Sequence, residues 1–154
     1  MDANELEYVG FWPRVGATLI DVLLISFFTV PLMRMVYGAG YWNDFALVRG
    51  PADAVINWIL PAIATVAFWM ARQATPGKMV IGARIVDAAT GEPPTLGQCV
   101  IRYLGYLLSA VVLCLGYVWV AFDPRKQGWH DRLANTVVVR KRVAAVHPVR
   151  FDGT

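Results

Sequence analysis

The chain has 154 residues, of which 57% are hydrophobic and 16% are charged, and its mean hydropathy is +0.49. Soluble domains average roughly 45–50% apolar residues, glycine included, and about 25% charged residues. This length predicts one domain, and its charges are too few to cover the surface of a soluble one. The aliphatic and aromatic content excludes intrinsic disorder, and the net charge of +3 is too diffuse to indicate a nucleic-acid partner. The composition therefore favours an integral membrane protein in contact with the lipid bilayer.

Three apolar runs have a length suited to a bilayer, whose hydrocarbon core a helix of about 20 residues crosses. The first run covers 15–33 and contains one charged residue, Asp21. The second covers 54–71 and includes Asn57, and the third covers 103–122 without any charge. Tryptophan and tyrosine residues near the ends of the runs are typical of membrane interfaces. The sequence therefore predicts two transmembrane helices and a third apolar segment whose path needs a further argument.

Two short segments rich in β-branched residues predict a small β-ribbon. Residues 78–87 follow a predicted turn at 73–77 and form the first candidate strand, and residues 137–141 form the second. Residues 88–94 predict another turn, after which Thr95 is placed to cap a helix. Because a lone strand is not stable, we expect the two strands to pair.

This pairing constrains the third apolar segment, because an odd number of crossings would put the two strands on opposite sides of the membrane. A re-entrant helical hairpin that turns at 114–116 leaves only Arg34 and Arg49 outside, and the other twelve of the 14 basic residues inside. Lys and Arg accumulate on the cytoplasmic side, so the hairpin is favoured and a single span remains the alternative. The predicted fold is an all-α integral membrane protein with a cytoplasmic β-ribbon and cytoplasmic termini.

Polar motifs lie around the apolar runs. Arg14 and Asp21 are seven residues apart and share one face of the first helix. The other motifs are Thr75-Pro76-Gly77-Lys78, Gly82-x-Arg84-Ile85-Val86-Asp87, and Gly128-Trp129-His130-Asp131 followed by Ala134-x-Thr136. Together they resemble the RDD family, a group of small, mostly bacterial membrane proteins named for one arginine and two aspartates. The resemblance covers residues 8–142 and implies one domain there, with flexible tails at 1–7 and 143–154.

The resemblance implies which residues give the family its name. The arginine is Arg14, the first aspartate is Asp21 and the second is Asp131, with Asp87 as the less favoured match. Asn135 stands where the family often has glycine, which we interpret as a tolerated substitution in a turn. The family resemblance also implies a location in the bacterial inner membrane and a transport role, since sodium/proton antiport has been connected with some members. The matched residues of the predicted cytoplasmic motif are Pro76, Gly77, Lys78, Arg84, Asp87, Trp129, His130 and Thr136.

Asp21 is the charged residue whose position is most unfavourable. An aspartate at the centre of a bilayer costs about 2.5–3.5 kcal/mol, so its side chain is expected to face protein or water. One hypothesis is that it binds a proton or a cation within a polar network that includes Arg14, Asn57, Thr65 and Arg102. The alternative is structural, with Asp21 paired to Arg14 or Arg102 to fix the packing of the helices.

His130 and Asp131 are weak candidates for catalysis or metal binding, because sequence neighbours point in different directions and no third ligand has metal spacing. We interpret 127–132 as a cap or turn in which Asp131 accepts backbone or arginine hydrogen bonds at a helix N-terminus. The segment 75–78 lacks the spacing of a phosphate-binding loop. No cofactor, metal or enzymatic role is predicted, and Cys99 and Cys114 are expected to be unpaired.

Two functions follow from these residues. The first is transport of a small solute, or cation/proton exchange, by a homo-oligomer that uses Asp21 and Arg14. The alternative is a non-transporting membrane scaffold or accessory subunit whose cytoplasmic face binds a partner membrane protein or anionic lipid. Basic residues near a membrane surface attract anionic lipid by about 1 kcal/mol each, and the candidates for this role are Arg125, Lys126, Arg132, Arg140, Lys141 and Arg142.

Overall fold

The computed structural model describes residues 5–43 and 46–142, so the tail predicted at 143–154 and the first four residues of the tail predicted at 1–7 lie outside the described part. The structure is mostly helical, at 64% of the residues. Its elements, in chain order, are β1 (Leu6–Tyr8), α1 (Phe11–Tyr37), α2 (Pro51–Asp53), a π-helical segment (Ala54–Ile59), α3 (Leu60–Arg72), α4 (Pro76–Val80), β2 (Ala83–Asp87), α5 (Leu96–Val111), α6 (Leu115–Val118), α7 (Trp129–Leu133) and β3 (Thr136–Lys141), with 3-10 turns at Ala39–Asn43 and Trp119–Ala121.

Two helical stretches are long and apolar enough to cross a membrane, as the sequence predicts. They are Phe11–Tyr37, of 27 residues, and Pro51–Val80, of 30 residues. At 1.5 Å per residue α1 is about 40 Å long, which exceeds the roughly 30 Å hydrocarbon core of a bilayer. Most of its side chains face outward, and Phe27 is 71% exposed. Large apolar side chains exposed over such a length are suited to contact with lipid.

The third apolar segment is bent, not straight. Helix α5 starts at Thr95, whose side chain forms the predicted cap with the amide of Gln98. After Val111 the chain reverses through Leu113 and Cys114, both in the left-handed region at φ +50° and +61°, and α5 meets the α6 region at 114°. The break therefore starts within a few residues of the turn predicted at 114–116.

A three-stranded antiparallel sheet with the order β1-β3-β2 confirms the predicted strand pair and adds a third strand. Strand β2 pairs with β3 from Ala83 opposite Arg140 to Asp87 opposite Thr136. On the other edge of β3, β1 pairs Leu6 with Lys141. The flexible tail predicted at 1–7 is therefore wrong for Leu6 and Glu7. A three-residue strand is too short to leave a periodic pattern in the sequence.

The strand predicted at 78–87 is also shorter than expected. Its first residues belong to α4, which Pro76 begins at a position where its fixed φ and missing N–H suit a helix. The turn predicted at 73–77 is accordingly confined to 73–75, where Gln73 ends α3 at φ +57°.

The sheet fixes the topology of the segments between its strands. Strand β1 precedes α1, β2 follows α3 and α4, and β3 follows the bent segment. Because all three strands lie in one sheet, the chain returns to its starting side after α3 and again after the bent segment. The core on this side packs one face of the sheet against α3 and α5 through Ile85, Val138, Trp69 and Cys99. This arrangement favours the re-entrant path over a single third span.

Candidate functional site

Arg14 and Asp131, the arginine and the second aspartate implied by the family resemblance, meet next to the three-stranded sheet. Arg14 Nη1 donates to Asp131 Oδ2 at 2.5 Å, and Arg102 forms an ion pair with the other carboxylate oxygen. Asp131 is completely buried, as is Arg102. One carboxylate thus bridges two guanidinium groups, one from α1 and one from α5.

Each member of this cluster is also bonded to the backbone or to a hydroxyl group. Arg14 donates to the carbonyl oxygens of Val9 (3.0 Å) and Lys126 (2.6 Å), and Arg102 donates to Thr136 Oγ1 (2.6 Å). The amide of Gly128, at the start of α7, donates to Asp131 Oδ2 at 3.0 Å. The cap predicted for Asp131 is therefore confirmed, and the cluster ties α1, α5 and α7 to β3.

The charged state of Asp131 is fixed by these neighbours. Burial alone would raise the pKa of its carboxyl group, but Arg102 and Arg14 outweigh burial and hold the pKa well below the ordinary value. His130 is in the opposite situation, because burial together with the nearby cations outweighs the effect of Asp131 and lowers the pKa of its ring to about 3. The ring of His130 is therefore neutral, and it stacks on Tyr106 with the centroids 4.1 Å apart.

Asp21 does not belong to this cluster. Its carboxylate accepts hydrogen bonds from Thr75 Oγ1 (2.5 Å) and from the amide of Gly77 (2.7 Å) at the start of α4. The predicted pairing of Asp21 with Arg14 or Arg102 is therefore wrong, because both arginines turn toward Asp131. A Cβ atom at Gly77 would lie 2.0 Å from the carbonyl oxygen of Ala17, so the close approach of α4 to α1 requires glycine there.

A cavity of about 460 Å³ lies beside Asp21. Helix α1 lines it from Phe11 to Ile25, a length of about 21 Å along the helix axis. The remaining walls come from α3, α4, the bent segment and α7. The polar side chains of the whole cavity are Arg14, Thr18, Asp21, Thr65, Thr75, Lys78, Tyr106, Tyr117 and His130. The size is that of a small-molecule site.

Lys78 was predicted as part of the cytoplasmic motif, but the sequence analysis did not place it beside Asp21. It is only 6% exposed, although it stands in a motif that predicted a turn. The proline and glycine of that motif place Lys78 in the first turns of α4, packed against α1. A lysine in a Thr-Pro-Gly-Lys motif next to an apolar run was the available signal.

The remaining residues of the predicted polar network lie apart from one another. Asn57 donates to Asp53 Oδ1 at 2.6 Å, and Tyr41 donates to the same oxygen at 3.0 Å. Asp53 is 2% exposed and also accepts the amide of Arg49, so this group joins the loop after α1 to the start of α2. Of the predicted network, the cavity therefore brings together Asp21, Thr65 and Arg14, whereas Asn57 and Arg102 lie elsewhere.

Two further motif residues have structural positions. Asp87 accepts the amides of Ala89 (2.7 Å) and Thr90 (2.9 Å) in the turn after β2, and the amide of Thr90 is the main cause of the lowered pKa of its carboxyl group. The arginine contact thus favours Asp131 over Asp87 as the family's second aspartate. Asn135 has φ +50°, a conformation that glycine and asparagine adopt most readily.

The other matched residues flank these positions. Arg84 is exposed on β2, and Trp129 begins α7. Cys99 is buried and Cys114 exposed, and both are free, as expected. Within residues 5–43 and 46–142, no group of three or more His, Cys, Asp or Glu side chains is placed to hold a metal ion.

The exposed apolar helices and the folded polar side together define an integral membrane protein. The chain belongs to the RDD family, whose model matches residues 8–135. An uncharacterised protein of Rickettsia prowazekii, RP437, is 37% identical, over 89% of this chain and 98% of its own length.

Two relatives in Bacillus subtilis are also similar over most of the chain. The uncharacterised membrane protein YteJ is 30% identical, over 88% of this chain and 83% of its own length. The uncharacterised protein YxaI is 28% identical, over 86% of this chain and 97% of its own length. No solved structure matches the chain.

Proposed function

We propose that this protein moves a small solute across the bacterial inner membrane, or exchanges a cation and a proton, with Asp21 as the central residue. The observation that carries the proposal is the position of Asp21. This carboxylate lies inside a membrane-spanning helix and lines a cavity that extends along that helix. Ionisable residues within spanning segments are unfavourable and commonly mark ion or substrate pathways.

The two hydrogen bonds of Asp21 supply a link between its charge and the position of α4. An ionised carboxylate accepts N–H and O–H donors more strongly than a neutral carboxyl group does. Protonation of Asp21 would weaken its bonds to Thr75 and Gly77, which hold the start of α4 against α1. A change in proton occupancy would in this way alter the wall of the cavity.

Arg14 has a supporting part in this proposal. Its three hydrogen bonds to Val9, Lys126 and Asp131 hold the start of α1 against the sheet side. The central residue is therefore Asp21, and Arg14 positions the helix that carries it. The role is non-enzymatic, because the sequence offers no nucleophile–base arrangement.

The distribution of basic residues supports a cytoplasmic location for the sheet side. The loop between α1 and α2 contains Arg49, and Arg34 lies at the far end of α1. Of the other twelve of the 14 basic residues, Arg14 is near the start of α1, Arg72 ends α3, and the rest follow α3. Lys and Arg are enriched on the cytoplasmic side of bacterial membrane proteins. Both termini would then be cytoplasmic. Two spanning helices cannot enclose a pathway alone, so the transporting unit would be a homo-oligomer.

Flux measurements on reconstituted protein test the proposal. Full-length protein in proteoliposomes should show cation flux that depends on a pH gradient, or solute uptake, and Asp21→Asn should abolish it. Asp87→Asn is the matched control, because Asp87 also accepts backbone amides but lies in a turn outside the cavity. Wild-type activity in Asp21→Asn, or equal loss in both variants, would refute the assignment.

A second function is supported by a separate groove of about 910 Å³ on the sheet side. Four basic side chains and one carboxylate line it, namely Arg72, Arg84, Arg140, Lys141 and Glu92. Such a surface suits anionic lipid or an acidic segment of a partner in a scaffold role. If this is the function, Arg84→Gln with Lys141→Gln should reduce the retention of phosphatidylglycerol on the purified protein, and unchanged retention would refute it.

A further inference from the structure

Lys78 is a buried cation for which the fold supplies no counter-ion contact. Only 6% of the surface of this residue is exposed, and it lines the cavity beside Asp21. In the part of the chain that the structure describes, its side chain forms neither a hydrogen bond nor an ion pair. An ammonium group in such surroundings needs a partner, because burial of an unpaired charge is strongly unfavourable.

The neighbouring charges leave one positive charge in excess. Arg14 and Arg102 share the single carboxylate of Asp131. Asp21 is the other carboxylate nearby, and its oxygens already accept hydrogen bonds from Thr75 and Gly77. Counted together, these neighbouring groups are three cations, namely Arg14, Arg102 and Lys78, and two carboxylates, while His130 is neutral. The excess favours an anion over a cation as the occupant of the cavity.

His130 lines the same cavity and is 3% exposed. Its Nδ1 atom is fully buried and has no hydrogen-bond partner within the described residues, so it does not face the open space of the cavity. Lys78 therefore offers an unused ammonium group to this space, whereas the neutral ring of His130 contributes only a wall.

The opposite part of the cavity is apolar. Leu19, Val22 and Ile25 of α1 line it and are each more than one-third exposed on the lipid-facing surface. Val118 lines the facing wall. A ligand with a charged group near Lys78 would thus extend an apolar part toward the lipid.

We infer that the cavity binds a single-chain amphipathic anion, with a carboxylate or phosphate group beside Lys78 and its apolar chain along α1. This inference rests on the proposed function, because it names the substrate class of the same site. Binding itself does not require movement across the membrane, so the two can be tested separately.

Titration calorimetry on the full-length protein in detergent tests the inference with four probes of equal chain length. Octanoate and octyl phosphate carry the two candidate anionic groups. The probe that binds more tightly shows whether the site prefers a carboxylate or a phosphate group. Octanol and octyltrimethylammonium are the neutral and cationic controls. We expect saturable binding of an anion, and no saturable binding of the cation. Equal binding of octyltrimethylammonium, or no saturable binding of either anion, would overturn the inference.

Substitutions locate the binding group. Lys78→Gln should weaken the binding of the preferred anion by about tenfold or more, because a charge-assisted hydrogen bond is lost, whereas Lys78→Arg should retain most of the affinity. Arg34→Gln is the matched control, since Arg34 is exposed near the far end of α1 and lines neither the cavity nor the groove. Wild-type affinity in Lys78→Gln would contradict the assignment.

A measurement on the wild-type protein covers the case in which Lys78→Gln does not fold. Cys114 is free, exposed and part of the cavity wall, so the anion should slow its modification by a maleimide, whereas octanol at the same concentration should not. An equal rate with and without saturating anion would overturn the inference. Binding without flux would refute the transport proposal alone, and Asp21-dependent flux with no anion binding would refute the inference alone.

Discussion

Replacement of Asp131 by asparagine is the most informative perturbation of the buried charge cluster. Asparagine preserves the size of the side chain and removes the charge that Arg14 and Arg102 share. Breaking a buried ion pair by removing one partner typically costs 3–5 kcal/mol. We therefore expect Asp131→Asn to lower the free energy of unfolding by about 3–5 kcal/mol.

Thermal unfolding in detergent measures this effect. For a chain of this size 1 kcal/mol corresponds to about 2–4 °C, so the melting temperature should fall by about 6–20 °C. Glu92→Gln is the matched control, because Glu92 is an exposed carboxylate, and it should change the stability by less than about 0.5 kcal/mol. A melting temperature of Asp131→Asn within about 2 °C of the control would refute the reasoning.

A double-mutant cycle separates charge from packing. Arg102→Met removes one of the two cations, so Asp131→Asn should cost less in the Arg102→Met background than in the wild type. We expect a coupling energy of at least about 1 kcal/mol between the two positions. Additive effects would show that Asp131 stabilises the fold by its backbone contact with Gly128 and not by its charge.

Two further predictions concern α5 and His130. Gly105→Ala should destabilise the protein by about 1–3 kcal/mol, because the new Cβ atom would lie 2.7 Å from the Cα atom of His130. Gly97→Ala in the same helix is the control, since its Cβ atom would meet nothing closer than 3.9 Å, and it should be neutral or stabilising by up to about 1 kcal/mol. The opposite order of the two melting temperatures would contradict this packing. The pKa of His130 is about 3 in the folded protein and 6.5 ordinarily, so as the pH falls the imidazole takes up a proton in the unfolded chain before it does so in the folded one. The stability that the neutral imidazole contributes is therefore complete above pH 6.5. It is lost as the pH falls toward 3, by up to about 1.4 kcal/mol per pH unit. Chemical unfolding from pH 6.5 to 4.5 should therefore show a shallower pH slope in His130→Asn, and an unchanged slope would count against a buried neutral imidazole.

The elements that the sequence predicts best are those with a repeated local pattern. The apolar run after Val15 predicts most of α1, and the β-branched segment at 137–141 predicts β3 to within one residue at its start. Thr95 was predicted as a cap because it follows a turn and precedes a helical run, and the structure adds the reciprocal capping box with Gln98. In each case the signal is contained within a few consecutive residues.

The contacts of the site could not be predicted in this way because they join distant parts of the chain. Spacing along α1 places Arg14 and Asp21 on one face, which suggested a common partner. The structure separates them, since Arg14 bonds to Asp131, which is 117 residues away, and Asp21 bonds to Thr75, 54 residues away. Neither separation leaves a periodic pattern in one sequence. The helix α4 was missed because Pro76 and Gly77 predict a turn, and because Lys78 to Val80 lead directly into the β-branched residues of β2.

Asp21 and Asp131 consequently have different physical roles. Asp131 is surrounded by two cations that lower the pKa of its carboxyl group, so its charge is constant over the physiological pH range. A carboxylate that never changes its charge is suited to fixing the ends of α1 and α5 on the sheet. Asp21 has no such cations bonded to it and accepts only a hydroxyl group and one amide within the described residues. If the protein cycles between two states, the movable contact is therefore that of Asp21 with α4, and the Asp131 cluster is the fixed frame against which α4 moves.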